Sequence, residues 1–353
     1  MKWRALLVLV SFLATGFVSR AAVRWEEILR QPQRWYGTTE AASEAHNVLL
    51  YQTSSGGWPK NRDMSAAPDA AFLAEAKFDH RAPTIDNNAT TTQIELLARV
   101  ATAHDDPVLR EAVVRGLDYL LAAQYPNGGW PQYFPLIAGY YTHITYNDNA
   151  MVNVLNVLRD VSAGAPPYAF IDAARRAKAG DAVNRGIACI LRTQISQHGR
   201  LTAWCAQHDE KSFAPAWARN FEPPSLSGSE SVGLVRFLME IKNPSADVKA
   251  AIEGAVTWFE SVQIHGLRVD NSPGADGKKD RHAVADAKAS VLWARFYELE
   301  TNRPIYIGRD KIIRYDFNEI ERERRAGYNY LSDWPAKLLR EDYPRWRSRN
   351  HLS

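Results

Sequence analysis

Tyr51-Gln52-Thr53-Ser54-Ser55-Gly56-Gly57-Trp58-Pro59 returns as Gln124-Tyr125-Pro126-Asn127-Gly128-Gly129-Trp130-Pro131. Weaker echoes follow at Gln194-Ile195-Ser196-Gln197-His198-Gly199 and Gln263-Ile264-His265-Gly266. The glutamines stand 72, 70 and 69 residues apart, and a period of that size marks a repeat architecture. Each unit holds two helical patterns. One ends just before the glutamine, as in Val113, Leu117, Leu120 and Leu121, or Ile187, Ile190 and Leu191. The other opens after the Gly-Trp loop, as in Ile94, Leu97 and Val100, or Val152, Leu155 and Leu158. No alternating run of comparable length argues for strands. Four helix–turn–helix units predict an all-α fold, an (α/α) toroid or barrel whose Gly-rich loops gather around a central cleft.

The Gly-Gly-Trp-Pro loop reads first as a structural turn, with Gly supplying positive φ, Pro ending a helix and Trp packing between hairpins. The same turn at a cleft rim would present Trp58 and Trp130 to a sugar face. Eleven Trp and fifteen Tyr suit a carbohydrate ligand.

The 353 residues are 46% hydrophobic and 24% charged, which fits a globular protein and excludes a disordered chain. Lys2 and Arg4, an apolar run through Ala14 and small residues around Ala21 read as a secretory signal over 1–21, leaving a single domain over 22–353. An uncleaved anchor is the alternative, and no later stretch is long and apolar enough to span a membrane. Loss of Lys2, Arg4 and Arg20 converts 43 basic against 40 acidic residues into 40 against 40. A neutral, exported protein without basic clusters is a poor candidate for nucleic acid. Export would let Cys189 and Cys205 form a disulfide, and two buried thiols are the alternative.

Asp86 lies in Thr84-Ile85-Asp86-Asn87-Asn88 and Asp148 in Thr145-Tyr146-Asn147-Asp148-Asn149, each before a helix. They read as occupying corresponding places. Helix capping is the plain explanation, and a shared site for a hard cation such as Ca²⁺ is the other. Arg219 lies in a Pro-rich loop beside an aromatic, where an ordinary exposed arginine is the simple reading. Read as a helix at about 100° per residue, Val291 to Leu299 places Arg295 inside the apolar stripe, where it needs a carboxylate partner from the protein or a ligand. Arg303 and Arg309 follow in a loop returning to the same rim, suited to an acidic sugar. Glu321-Arg322-Glu323-Arg324-Arg325 reads as a solvated helix face. No dinucleotide fingerprint, P-loop, zinc-protease or nucleophile-elbow motif occurs.

Gly56-Gly-Trp-Pro-Lys60-Asn61, Ile85-Asp86-Asn87, Ile144-Thr-Tyr-Asn-Asp148-Asn-Ala-Met151, Thr202-Ala-Trp-Cys-Ala-Gln-His208-Asp209, Arg219-Asn-Phe-Glu-Pro-Pro-Ser-Leu-Ser-Gly228 and Trp293-Ala-Arg295 through Arg309-Asp310 together resemble the pectate lyases of polysaccharide lyase family 10. The resemblance runs from about residue 45 to about 335. It implies a helical toroid that cleaves polygalacturonate by calcium-assisted β-elimination. Position by position, it implies Asp86 and Asp148 as calcium ligands, Arg219 as the base, and Arg295 and Arg309 as holders of uronate carboxylates. Lys60, as a substrate-binding residue, and His208 sit in matching motifs. An arginine base, normally protonated, implies an alkaline optimum. The protein is expected to be a monomer. A toroidal glycoside hydrolase with paired acids and a noncatalytic pectin binder are the competing functions. A toroidal isoprenoid enzyme lacks its acid-rich motif.

Overall fold

The computed structural model describes residues 23–75 and 78–351; the expected leader over 1–21 lies outside the described residues. Helix α1 (Thr39–Leu49) is followed by two single turns, α2 (Ala70–Leu73) and α3 (Phe78–Arg81). Then come α4 (Thr91–His104) and α5 (Pro107–Ala123), α6 (Ala150–Ala163) and α7 (Ala173–Thr193), and α8 (Glu230–Met239) and α9 (Ala246–Ser261). The chain closes through α10 (Arg322–Gly327) and α11 (Tyr343–Arg349). Helices α4, α6 and α8 pack side by side as one layer, and α1, α5, α7 and α9 form a second layer around them. This is the all-α toroid that the repeat predicts.

The repeat has a physical reason in each unit. Trp58, Trp130, Trp204 and Trp293 are buried, and each donates its indole N–H to a carbonyl of a preceding outer-layer helix: Val48, Leu120, Ile190 and Phe259, at 2.7–2.9 Å. An indole buried without such a partner would be costly. The repeated glutamines stitch neighbouring units. Gln52 donates to the carbonyl of Ala112, Gln124 to that of Ala182 and Gln194 to that of Ala251, each at 2.9 Å on the next outer helix. Gly56 and Gly128 have φ of 98° and 93°, and a β-carbon there would sit 2.3 and 2.1 Å from the carbonyl oxygens of Arg115 and Arg185. Only glycine tolerates both the conformation and the approach.

Trp58 and Trp130 are therefore core residues, fully buried, and neither offers its ring to a sugar. Two other expectations are corrected. The fourth unit has no second helix: Trp293–Ala294 and Phe296–Tyr297 are extended and pair with Leu331–Ser332 and Leu226–Ser227. The apolar stripe at helical spacing was the wrong period, because consecutive residues here are buried between flanking segments on both sides. The run 321–325 is also not a solvated face, since Arg324 and Arg325 are buried. Arg325 makes a two-pronged pair with Asp280 at 2.9 and 2.8 Å. Cys189 and Cys205 are buried free thiols.

Candidate active site

The outer helices α5, α7 and α9 are capped by side chains, Asp106, Asp172 and Ser245 accepting from backbone N–H groups of the first turn. The inner helices α4, α6 and α8 have no side-chain cap. Asp86 and Asp148 stand just before α4 and α6 without capping either, so the plain reading of both aspartates fails. The Asp86 carboxylate turns instead to Lys60 and Gln132, and that of Asp148 to Asn147 and Arg295.

Backbone register explains the gathering. The segment before each inner helix donates to the carbonyl of its own unit's tryptophan: Thr84 to Trp58, Thr145 to Trp130, Ser227 to Trp204. The next residue donates to the second residue after the following tryptophan: Ile85 to Gln132, Tyr146 to Ala206, Gly228 to Arg295. Each acidic segment is thus wedged between two tryptophan loops. The residues two beyond each tryptophan, Lys60, Gln132, Ala206 and Arg295, come to one rim.

Matching the backbones corrects the pairing of the aspartates. Asn87 has φ 51° and ψ 41°, and Asp148 has φ 50° and ψ 31°; the residues before the turns, Ile85 and Tyr146, also match. Asp148 is therefore equivalent to Asn87, and Asp86 to Asn147. The two carboxylates lie in adjoining turns at different heights, one residue out of register.

Asp86 is 4% exposed. Its Oδ2 accepts from Lys60 Nζ at 2.5 Å and from Gln132 Nε2 at 2.7 Å, while its buried Oδ1 has no partner. Burial pulls the Lys60 ammonium down, but the Asp86 charge outweighs it and holds the ammonium above its ordinary value. Asp148 accepts from Asn147 at 2.9 Å and, at 3.4 Å, from Arg295. Burial pushes its carboxyl up, Arg295 pulls it down, and the nearby negative charges of Glu230 and Asp86 push it up again, leaving a net rise. Arg295, 8% exposed, lies between Asp148 and the buried Glu230, to which Nη2 donates; its Nε has no partner. Three carboxylates, Asp86, Asp148 and Glu230, thus face two cations, Lys60 and Arg295.

Arg219 stands on the loop before α8. Its Nε and Nη2 donate to Glu222 at 2.8 and 2.5 Å, and Tyr328 donates to the same carboxylate at 2.8 Å. Burial pulls the Arg219 guanidinium down, yet the hydrogen bonds and charge of Glu222 outweigh it and hold the proton more firmly than usual. Arg219 and Arg309 both lie over the Phe221 ring, at 4.8 and 5.7 Å; Arg295 and Arg219 both lie over Tyr328, at 4.7 and 5.7 Å. The Phe221 and Tyr328 rings are 5.2 Å apart. Arg309 is exposed and paired with Glu323 at 2.9 and 3.0 Å.

The structure brings Lys60, Asp86, Asp148, Arg295, Arg219 and Arg309 onto one rim. His208 is fully buried. It accepts from Cys205 N at 3.1 Å, contacts the Phe213 carbonyl at 2.8 Å, and is pushed down to about 4 by burial, so it is a neutral strut for the 205–213 loop. Sequence reading missed Gln132, Glu222, Glu230 and Tyr328. Gln132 was legible as the counterpart of Lys60 in the second Gly-Gly-Trp-Pro copy; the others carry no local signal. A cavity of about 890 Å³ adjoins the cleft on its Lys60 side, lined also by Asn87, Asn88 and, farther out, Trp25 and Arg99. His143, Asp209 and Glu210 bring ligand atoms within 4.8 Å of one another elsewhere. Asp209 Oδ1 is already engaged by Lys211 N, Ser212 N and Ser212 Oγ.

The family described as pectic acid lyase matches residues 52–339. Among solved structures, a family 10 polysaccharide lyase from Cellvibrio cellulosa is 32% identical, with a TM-score of 0.77 over 91% of this chain and 95% of that one. A mutant family 10 lyase from the same organism, in complex with trigalacturonic acid, is 33% identical with a TM-score of 0.75, covering 90% and 98%. A search of curated proteins gave no match. No helix among the described residues is long and apolar enough to cross a membrane. With a profile spanning most of its length and a matching fold around this cleft, the chain belongs to the pectic acid lyase family and is a lyase of pectic polysaccharide.

Proposed function

We propose that the protein is an exported, calcium-assisted pectate lyase that cleaves α-1,4-linked polygalacturonate by β-elimination. The observation that carries this reading is the meeting of Arg219, Arg295 and Arg309 on the Phe221–Tyr328 ring pair beside Asp148. A chain with equal numbers of acidic and basic residues after loss of its leader has no general positive field to hold a polyanion. It needs a local one: three guanidiniums within reach of one aromatic pair, each aimed by a carboxylate, supply fixed donors, and a bound Ca²⁺ would supply the excess positive charge. The mutant relative's complex with trigalacturonic acid supports the same ligand class.

In β-elimination the C5 proton of a uronate is removed, the C4–oxygen bond breaks, a C4=C5 double bond forms, and the departing oxygen takes up a proton. The residues present fit a Ca²⁺ ion: Asp148 carries a carboxylate raised by burial and by its acidic neighbours, and Asp86 has a buried oxygen without a partner. Asp148, with Asp86 beside it, would hold the ion. When bound, Ca²⁺ neutralises the uronate carboxylate and so makes the adjacent C–H more acidic. Arg295 is locked by Glu230 and Asp148, and it offers a fixed cation to a neighbouring carboxylate. Lys60, braced by Asp86, does the same from the other side. Arg219, aimed by Glu222, is the group for the C5 proton. To accept it, the guanidinium must first be neutral, which Glu222 opposes; the enzyme therefore works best at alkaline pH.

Polygalacturonate mixed with the protein and Ca²⁺ should give a 4,5-unsaturated product absorbing in the near ultraviolet, abolished by chelator. No absorbance at saturating Ca²⁺ would refute the reading. Reducing ends without the chromophore would mean hydrolysis.

A further inference from the structure

Trp217 is 40% exposed, the one exposed tryptophan among the described residues. It stands two residues before Arg219 on the same loop. Lys311 Nζ lies 5.9 Å from the centre of its ring. Lys311 belongs to the hairpin in which Tyr306–Ile307 pairs with Ile313–Arg314, the hairpin that also carries Arg309. Ile312 and Ile313, next in sequence, are 56% and 43% exposed. Tyr315, just past the same hairpin, is 46% exposed, whereas Leu50, Leu73, Val108 and Leu136 lie far along the chain. Single exposed apolar side chains are ordinary, but a bare indole with an ammonium over it, adjoining a binding cleft, is a built contact surface.

We propose that Trp217 and Lys311 form an outer subsite for one further uronate residue of the polymer, beyond those held at the arginine cluster. This rests on the pectate lyase reading. The indole face suits the C–H surface of a pyranose ring, while the ammonium suits its carboxylate. The loop and the hairpin already meet at Phe221, where Arg219 and Arg309 share one ring. Lys311 has no acidic hydrogen-bond or ion-pair partner among the described residues, so its charge is available to a ligand.

The test is steady-state cleavage of polygalacturonate and of trigalacturonate by wild type, Trp217→Ala and Lys311→Gln, with melting temperatures as the check on folding. The subsite predicts that KM for the polymer rises about tenfold, the worth of roughly one such contact, with kcat and trigalacturonate cleavage nearly unchanged. Equal losses on both substrates, or no change on the polymer, would overturn it. Should wild type cleave neither substrate, the lyase reading fails by itself. Polymer binding, read by tryptophan fluorescence, then still decides the subsite: weaker binding by Lys311→Gln supports it and unchanged binding refutes it.

Discussion

Replacing Glu222 by Gln tests whether Arg219 works as a base. The Glu222 carboxylate meets the Arg219 guanidinium through contacts of 2.8 and 2.5 Å, which places the charge centres about 4 Å apart. At an effective dielectric near 20 such a pair is worth about 4 kcal/mol, or about 3 pH units in the guanidinium's hold on its proton. The Arg219 side chain is 44% exposed, so solvent screens part of this, and about 1–2 units is the expected effect. Gln keeps the shape and an acceptor for Arg219, and removes the charge. If a neutral Arg219 takes the C5 proton, the rising limb of the pH profile of kcat/KM moves down by about 1–2 units in Glu222→Gln. Looser aim lowers the plateau, but it does not move the limb. The assay is initial-rate absorbance from pH 7 to 11 at saturating Ca²⁺, with melting curves to confirm folding. A limb that stays in place while the plateau falls would refute the base role, leaving Arg219 as a permanent cation.

Asp148→Asn should lower kcat/KM by at least about 100-fold and raise the Ca²⁺ concentration needed for half-activity, which a calcium titration would reveal; an unchanged titration places the ion elsewhere. Arg295→Ala leaves Glu230 buried with only Ser227 for company, and should cost about 3–5 kcal/mol of stability by urea unfolding, partly restored by adding Glu230→Gln. Glu44, on α1, is 5% exposed, and burial, then Glu40 and Asp63, push its carboxyl from 4.5 to about 7. Because the folded value is the higher one, Glu44 favours folding below about pH 4.5 and disfavours it increasingly as pH rises through 7. Glu44→Gln should therefore leave stability unchanged near pH 4 and raise it by up to about 3 kcal/mol at pH 8, read from unfolding midpoints across that range.

Much of the fold was legible because the repeat is written in residues with strict local demands. A glycine at positive φ, a tryptophan needing an acceptor and a glutamine long enough to reach the next helix recur at fixed spacing. The same local reading failed where burial comes from both sides. Around Arg295 the apolar residues fit a helical wheel, yet the segment is extended, held by Tyr330 and Gly228. Arg325 looked solvated because charge density says nothing about a partner 45 residues away, here Asp280. The site was legible residue by residue through its motifs, but its electrostatic partners were not: Glu230 is 65 residues from Arg295, and Tyr328 is 106 from Glu222.

The sequence alone determined the helical repeat, the family motifs and the residue types needed to handle an acidic sugar, since these depend on spacing and on chemistry carried by single side chains. Only the tertiary structure decided which of those groups meet. Backbone hydrogen bonds between successive tryptophan loops bring Lys60, Gln132 and Arg295 to one rim. They also offset Asp86 from Asp148, and they turn Trp58 and Trp130 into core while leaving Trp217 in solvent. Charge, burial and partner are properties of a position in space, and the cleft joins residues more than 200 apart in the chain.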